Sequence, residues 1–250
     1  LSQFCQDRRI IQWRRRIMKK FKLFFCILLS LTIFNTLKSA EQVDPIKVDW
    51  SFKGLLGKFD RASLQRGYQV YNEVCASCHS MQYLSYRNLG EPGGPEFSEE
   101  EVKAIAAGFE VTDGPDAQGE MFTRPGRPSD KFVSPYPNVN AAAAANGGAY
   151  PPDMSVLVKA RKGGANYIYS VLVGYEDPPP GVTLDEGVYY NKYMIGNKIK
   201  MPNNLSDGLV EYADGTEATV DQMAKDVTTF LSWAAEPELE SRHKTGVKVI

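Results

Sequence analysis

Histidine and cysteine are scarce in this chain: 250 residues carry two His and four Cys. Cys5 and Cys26 lie in an N-terminal segment with the marks of an export signal, which leaves Cys75 and Cys78 for the mature protein. A single pair excludes the disulfide frameworks of small secreted domains. A structural zinc site wants four ligands, and the one other candidate of the right kind is His243, in the charged tail "ESRHKTG". Long apolar runs are missing too. The longest, "LFFCILLSLTIF", has twelve residues, short of the roughly 20 that a membrane helix needs. There is no internal repeat and no basic surplus, so the phosphate-binding charge of a nucleic-acid protein is absent.

What is present is concentrated. "NEVCASCHSMQ", Asn72 to Gln82, holds both remaining cysteines and His79 within five positions. A thioredoxin-type dithiol would sit at a strand-to-helix turn, whereas a helical pattern precedes this motif. The Cys-x-x-Cys-His order is that of c-type haem attachment. Two residues between the thiols span the haem vinyl groups, and the imidazole directly after the second Cys takes one axial position on iron.

The N-terminus agrees with that chemistry, because haem is joined to this motif on the exported side of a membrane. Lys19, Lys20 and Lys22 precede the apolar run, and "NTLKSA" follows it, so residues 18–40 read as a signal peptide cut near Ala40. Residues 1–17, arginine-rich and without an initiating Met, read as an over-extended start. Residues 1–40 hold nine of the 29 Lys/Arg and one of the 30 Asp/Glu. The mature part thus keeps 20 basic and 29 acidic residues, a net charge of about −9 that suits a cationic partner and excludes nucleic acid.

Hydrophobic periodicity predicts two principal helices. "DRASLQRGYQVYNEV", Asp60 to Val74, places Leu64, Gly67, Tyr68 and Tyr71 at helical spacing behind an Asp60 cap, and delivers the motif at its end. "TVDQMAKDVTTFLSWAAEPE" puts Val220, Met223, Ala224, Val227, Phe230, Leu231 and Ala234 on one stripe. Thr219 with Gln222 suggests a capping box, and Pro237 a stop. Gly67 offers a place for the two helices to approach closely. Shorter helices are expected at 98–108 and 153–173, hairpins around Gly196-Asn197 and Asp214-Gly215, and loops at 111–140 and 174–187.

One axial position of the iron remains, for which a thioether is a common ligand. Met81 follows His79 too closely to reach the opposite face, and Met223 lies on the apolar stripe. Met121 and Met154 border turns without a particular claim. Met201 and Met194, both in the hairpin region, stay as candidates. Met201 is the better placed, since it leaves the hairpin into "MPNN", where Pro202 fixes the backbone.

The blocks "SLQRGYQVYNEVCASCHSMQYLSYRNL", "TRPGRPSDKFVSPYPNVNAAAAANGGAYPPDMS" and "DGTEATVDQMAKDVTTFLSWAAEPE" resemble cytochrome c1, the haem subunit of the cytochrome bc1 complex, in family order over nearly all of residues 41 to 245. The resemblance implies a mainly α, class I cytochrome c-like haem domain over 41–240, with Pro/Gly-rich loop insertions and small β-hairpins. It also implies one covalent haem c on Cys75 and Cys78, with His79 proximal and Met201 distal. Electrons would come from the Rieske iron–sulfur protein and pass to a soluble cationic cytochrome c, with cytochrome b as a further partner. The setting implied is a bacterial inner membrane with the haem domain on the periplasmic side. Residues 241–250 read as the juxtamembrane start of a C-terminal anchoring helix, expected in the family and not contained in this chain. The family commonly carries an Arg in the alanine-rich run near Ala143, so Arg124 and Arg127 become candidates for pairing with a haem propionate. A free periplasmic monohaem carrier is the second reading. A haem peroxidase would want an open iron site and usually a second haem.

Overall fold

The computed structural model describes residues 43–249; the expected signal peptide and over-extended start lie outside them. Helix α1 spans Arg61–Val70, opened by Asp60, whose carboxylate accepts from the Ser63 N–H at 2.8 Å. The expected helix continues to Val74, but regular α geometry ends at Val70. Tyr71–Cys75 form a π-helical turn closed by Ala76 N–H on Tyr71 O at 2.8 Å. The wider i→i+5 turn interrupts the regular helix just where the motif begins.

After a 3₁₀ turn at Tyr86–Gly90, α2 covers Glu99–Ala107, where Ser98 and Glu101 form a complete capping box. Strands β1, Glu110–Asp113, and β2, Phe122–Pro125, pair antiparallel inside a stretch expected to be loop, and α3 follows at Val139–Ala145. Helix α4 covers only Ala165–Val173 of the expected 153–173. Gly163 and Gly164, at φ 93° and 55°, stop it from extending backwards. Strands β3, Tyr189–Tyr190, and β4, Lys198–Ile199, make the expected hairpin, with Gly196 and Asn197 at positive φ in its turn. The second expected hairpin does not form. Around Asp214-Gly215 there is a turn without a ladder, and the Asp214 carboxylate pairs with Arg66 at 2.6 Å. Helix α5 is Val220–Ala235 and α6 is Leu239–Val249. Among the described residues no helix is long and apolar enough to cross a membrane.

The core is the crossing of α1 and α5. A Cβ on Gly67 would stand 2.1 Å from the Asp226 carbonyl oxygen and 2.8 Å from the Phe230 Cβ, so only glycine permits this approach. Asp226 itself is fully buried on α5 and accepts from Ser63 Oγ, Arg66 Nε and Gln222 Nε2 at 2.7–3.0 Å. Gln222 is therefore spent on Asp226, and Thr219 caps α5 alone through the Gln222 N–H. Around the crossing, Tyr68 and Tyr71 stack edgewise or tilted on Phe230, and Phe132 stacks on Tyr86 at 4.8 Å. The stripe expected on α5 is buried from Met223 to Ala234. Segment 46–50 is tied to α4 by Ile46 N–H on Ser170 Oγ and Trp50 Nε1 on Asn166 Oδ1 at 2.7–2.8 Å.

Candidate haem site

The π turn leaves Cys75, Cys78 and His79 on one tight bend, with both Cys78 and His79 N–H bonded to the Cys75 carbonyl at 3.1 and 2.9 Å. Both thiols are free. Burial, reinforced by neighbouring Cys78, pushes the Cys75 thiol up to about 12, so it stands neutral at ordinary pH.

His79 is buried, 8% exposed, and its Nδ1 lies 2.8 Å from the Pro152 carbonyl oxygen. A carbonyl only accepts, so Nδ1 carries the proton and Nε2 keeps its lone pair. Burial also pushes the His79 pKa down, against the opposing pull of Pro152 and Asp153, which favours the neutral, metal-ligating form. Beside the motif a cleft of about 400 Å³ opens between Cys78, Ser80 and Gln82 on one wall and the Ser134–Val139 segment and Ala142 of α3 on the other, with Tyr150 and Pro151 at its rim.

The two candidate thioethers are in different states. Met194 Sδ accepts a hydrogen bond from Tyr167 Oη at 3.2 Å. Met201 is half-buried against the core, with no hydrogen bond to its sulfur among the described residues. Its backbone is fixed: Tyr175 Oη donates to the Met201 carbonyl at 2.9 Å. The adjacent Lys200 donates to Gly147 O at 2.8 Å, fastening this segment to the loop that runs into Tyr150 and Pro151. Met81 and Met223 are fully buried core residues, Met154 is buried, and Met121 is 59% exposed near the β1–β2 turn.

Other expected site residues are otherwise engaged. Arg124 donates to Asp113 through Nε at 2.5 Å and to both Asp130 oxygens at 2.6 and 2.9 Å, so its guanidinium is committed to carboxylates within the protein. Arg127 is exposed. His243 is half-exposed on α6, where Nδ1 lies 3.0 Å from the Gly57 carbonyl and ties the helix to the 50–57 loop. In the acidic run Glu99-Glu100-Glu101, Glu99 pairs with Lys103 at 2.6 Å and Glu101 completes the α2 cap. Sequence reasoning missed Pro152, Asp153, Ser155, Tyr175 and Asn191. "PPDMS" offers no spacing motif of its own, and the carbonyl that matters there carries no residue-type signal.

The donor set suits a covalently held haem: two thiols two residues apart, a neutral imidazole and a thioether whose Nε2 and sulfur have no hydrogen bond among the described residues, and a cleft against the second thiol. A match to the Cytochrome C1 family spans residues 50–250. The chain is 53% identical over 221 residues to "Cytochrome c1-2, heme protein, mitochondrial" of Solanum tuberosum, covering 87% of this chain and 84% of that protein. It is 51% identical to "Cytochrome c1" of Rhodospirillum rubrum, over 82% of this chain and 80% of the other. With the "Cytochrome b-c1 complex catalytic subunit, mitochondrial" of Candida albicans the identity is 51%, over 88% and 76%. The chain belongs to the cytochrome c1 family, haem-carrying electron-transfer proteins of the respiratory cytochrome b-c1 complex.

Proposed function

We propose that the chain accepts electrons from the Rieske iron–sulfur protein and passes them to a soluble cationic cytochrome c, working beside cytochrome b with its haem domain on the exported, periplasmic face. The carrying observation is the His79 imidazole, buried, with Nδ1 held by the Pro152 carbonyl and Nε2 left as a donor directly after Cys78.

Cys75 and Cys78 would hold the haem through thioether bonds, and His79 Nε2 would supply one ligand to its iron. Met201 would supply the other, supported by a sulfur with no hydrogen bond among the described residues where the Met194 sulfur is taken by Tyr167. When bound, the haem supplies reversible one-electron chemistry at iron. The protein's part is positional. Pro152 fixes tautomer and ring plane, and the soft Met201 sulfur favours the ferrous state and so raises the potential. With His79 and Met201 both holding the iron, no site would be left for a substrate on the metal, and the subunit would carry electrons without making bonds by itself.

The acidic surplus of the mature part, 29 against 20, supports an encounter steered by opposite charge. Mixing the reduced protein with a cationic cytochrome c in a stopped-flow instrument tests this. The rate should fall steeply as the Debye length shrinks from about 30 Å at 0.01 M to about 8 Å at 0.15 M salt. A rate indifferent to salt overturns the charge-steered acceptor.

A further inference from the structure

Asp153 lies outside the attachment motif, yet the position of the carbonyl that orients His79 depends on it. Pro151 and Pro152 have no N–H with which to anchor their own backbone. The next residues do the anchoring. Asp153 Oδ2 accepts from Ser80 Oγ at 2.8 Å and from Gln82 N–H at 2.9 Å, while Oδ1 accepts from Ser155 N–H at 2.9 Å. Met154 N–H donates to Ser80 O at 2.8 Å, and Ser155 Oγ accepts from Tyr83 N–H at 3.1 Å. Segment 152–155 is thereby stitched to 79–83 over its whole length. The His79–Pro152 bond is the first rung of that ladder, and the Asp153 carboxylate spans the next.

We propose that Asp153 is a positioning residue for His79: its carboxylate clasps the Pro152–Ser155 segment onto Ser80–Gln82 and so sets the length and direction of the Nδ1–H···O bond. The proposal rests on His79 being the proximal ligand. A firm hydrogen bond at Nδ1 makes the imidazole a stronger donor through Nε2, which stabilises ferric iron and holds the potential down. Loosening the clasp therefore raises the potential. Removing a nearby negative charge also raises it, so the charge and the clasp have to be separated.

Three variants of the haem-loaded protein do so. Asp153→Asn removes the charge and puts an amide N–H₂ where one of the carboxylate oxygens accepted. Asp153→Glu keeps the charge but adds a methylene. Ser80→Ala removes one rung with no change of charge. In the ferrous, ¹⁵N-histidine-labelled protein the His79 Nδ1–H resonance is followed by NMR alongside the midpoint potential. The clasp requires that solvent exchange of that proton speed up about tenfold or more in all three variants, with the potential rising in each. If Asp153→Asn alone raises the potential while Nδ1–H exchange stays unchanged in all three, Asp153 acts by charge and the proposal is overturned. If wild-type His79 Nε2 lacks an iron-dependent shift, His79 is not the ligand and the underlying reading fails instead, whatever the variants do. Should the Asp153 variants fail to take up haem, Ser80→Ala decides by the same two readouts.

Discussion

The two sides of the site are built at different ranges along the chain. On the proposed proximal side, the candidate attachment cysteines, the candidate ligand and the turn all fall within Tyr71–His79, and one short segment, Pro152–Ser155, supports them. On the proposed distal side, Met201 has only Pro202 beside it in sequence to suggest its role. Its place is set by the β3–β4 hairpin, by Tyr175 on its carbonyl, by Lys200 on Gly147, and by the fully buried Asn191, which donates to the Val171 carbonyl at 2.7 Å and ties the hairpin to α4. A site whose geometry is fixed by covalent spacing can be read from five consecutive positions. One fixed by tertiary hydrogen bonds cannot, and it should also be the softer of the two.

The largest expected effect separates attachment from ligation. Replacing Cys75 and Cys78 together by Ala should abolish the haem-stained band on denaturing gels, whereas no distal substitution should. Gly67→Ala comes next, because it strikes the helix crossing beneath the proximal turn. Its Cβ would stand 2.1 Å from the Asp226 carbonyl, and relieving that overlap should cost about 1–3 kcal/mol, read as an earlier denaturant midpoint. Tyr175→Phe removes one hydrogen bond from Met201's backbone, worth about 0.5–1.5 kcal/mol. It should broaden the distal ligand's NMR signals and leave those of His79 in place; equal disturbance of both sides would erase the contrast.

The smallest effect lies in a region that lines neither side. In the β1–β2 hairpin, the hydrogen bond from Arg124 holds the Asp130 carboxyl at about 2, below its ordinary 3.8. Since the folded value is the lower, the ion pair favours the fold at pH above about 4, and that contribution disappears as pH falls through 2. Asp130→Asn should flatten this acid loss of stability slightly, as for a largely solvent-screened pair, with no change in the haem spectrum at neutral pH.

The pattern of what was legible follows the same division. The α1 and α5 stripes, the Asp60 and Thr219 caps, the role of Gly67 and the Gly196-Asn197 hairpin were readable because each rests on local periodicity or on one residue's backbone freedom. The expected hairpin at Asp214 gave way to a turn whose Asp214 carboxylate reaches Arg66, and the 153–173 helix shortened because two successive glycines adopt positive φ. The glycines sit inside the very segment that suggested the helix, whereas Arg66 lies far in sequence from the Asp214 turn. The β1–β2 hairpin lay hidden in a Pro/Gly-rich stretch, where alternation over four residues is too short to stand out. At the candidate site, Cys75, Cys78 and His79 are proposed from spacing, while Met201 and Met194 could be ranked only by what precedes and follows them. The structure adds what spacing could not carry, namely that Tyr167 occupies one sulfur and leaves the other free.

The central claim is that Met201 completes the coordination opposite His79. The direct test labels the methionine methyl groups with ¹³C in the reduced, haem-loaded protein and looks for the one methyl displaced far upfield by lying over the haem ring. That resonance should vanish in Met201→Leu, where the potential falls and carbon monoxide gains access to the iron, and should persist in Met194→Leu. Persistence in Met201→Leu with loss in Met194→Leu would contradict the account.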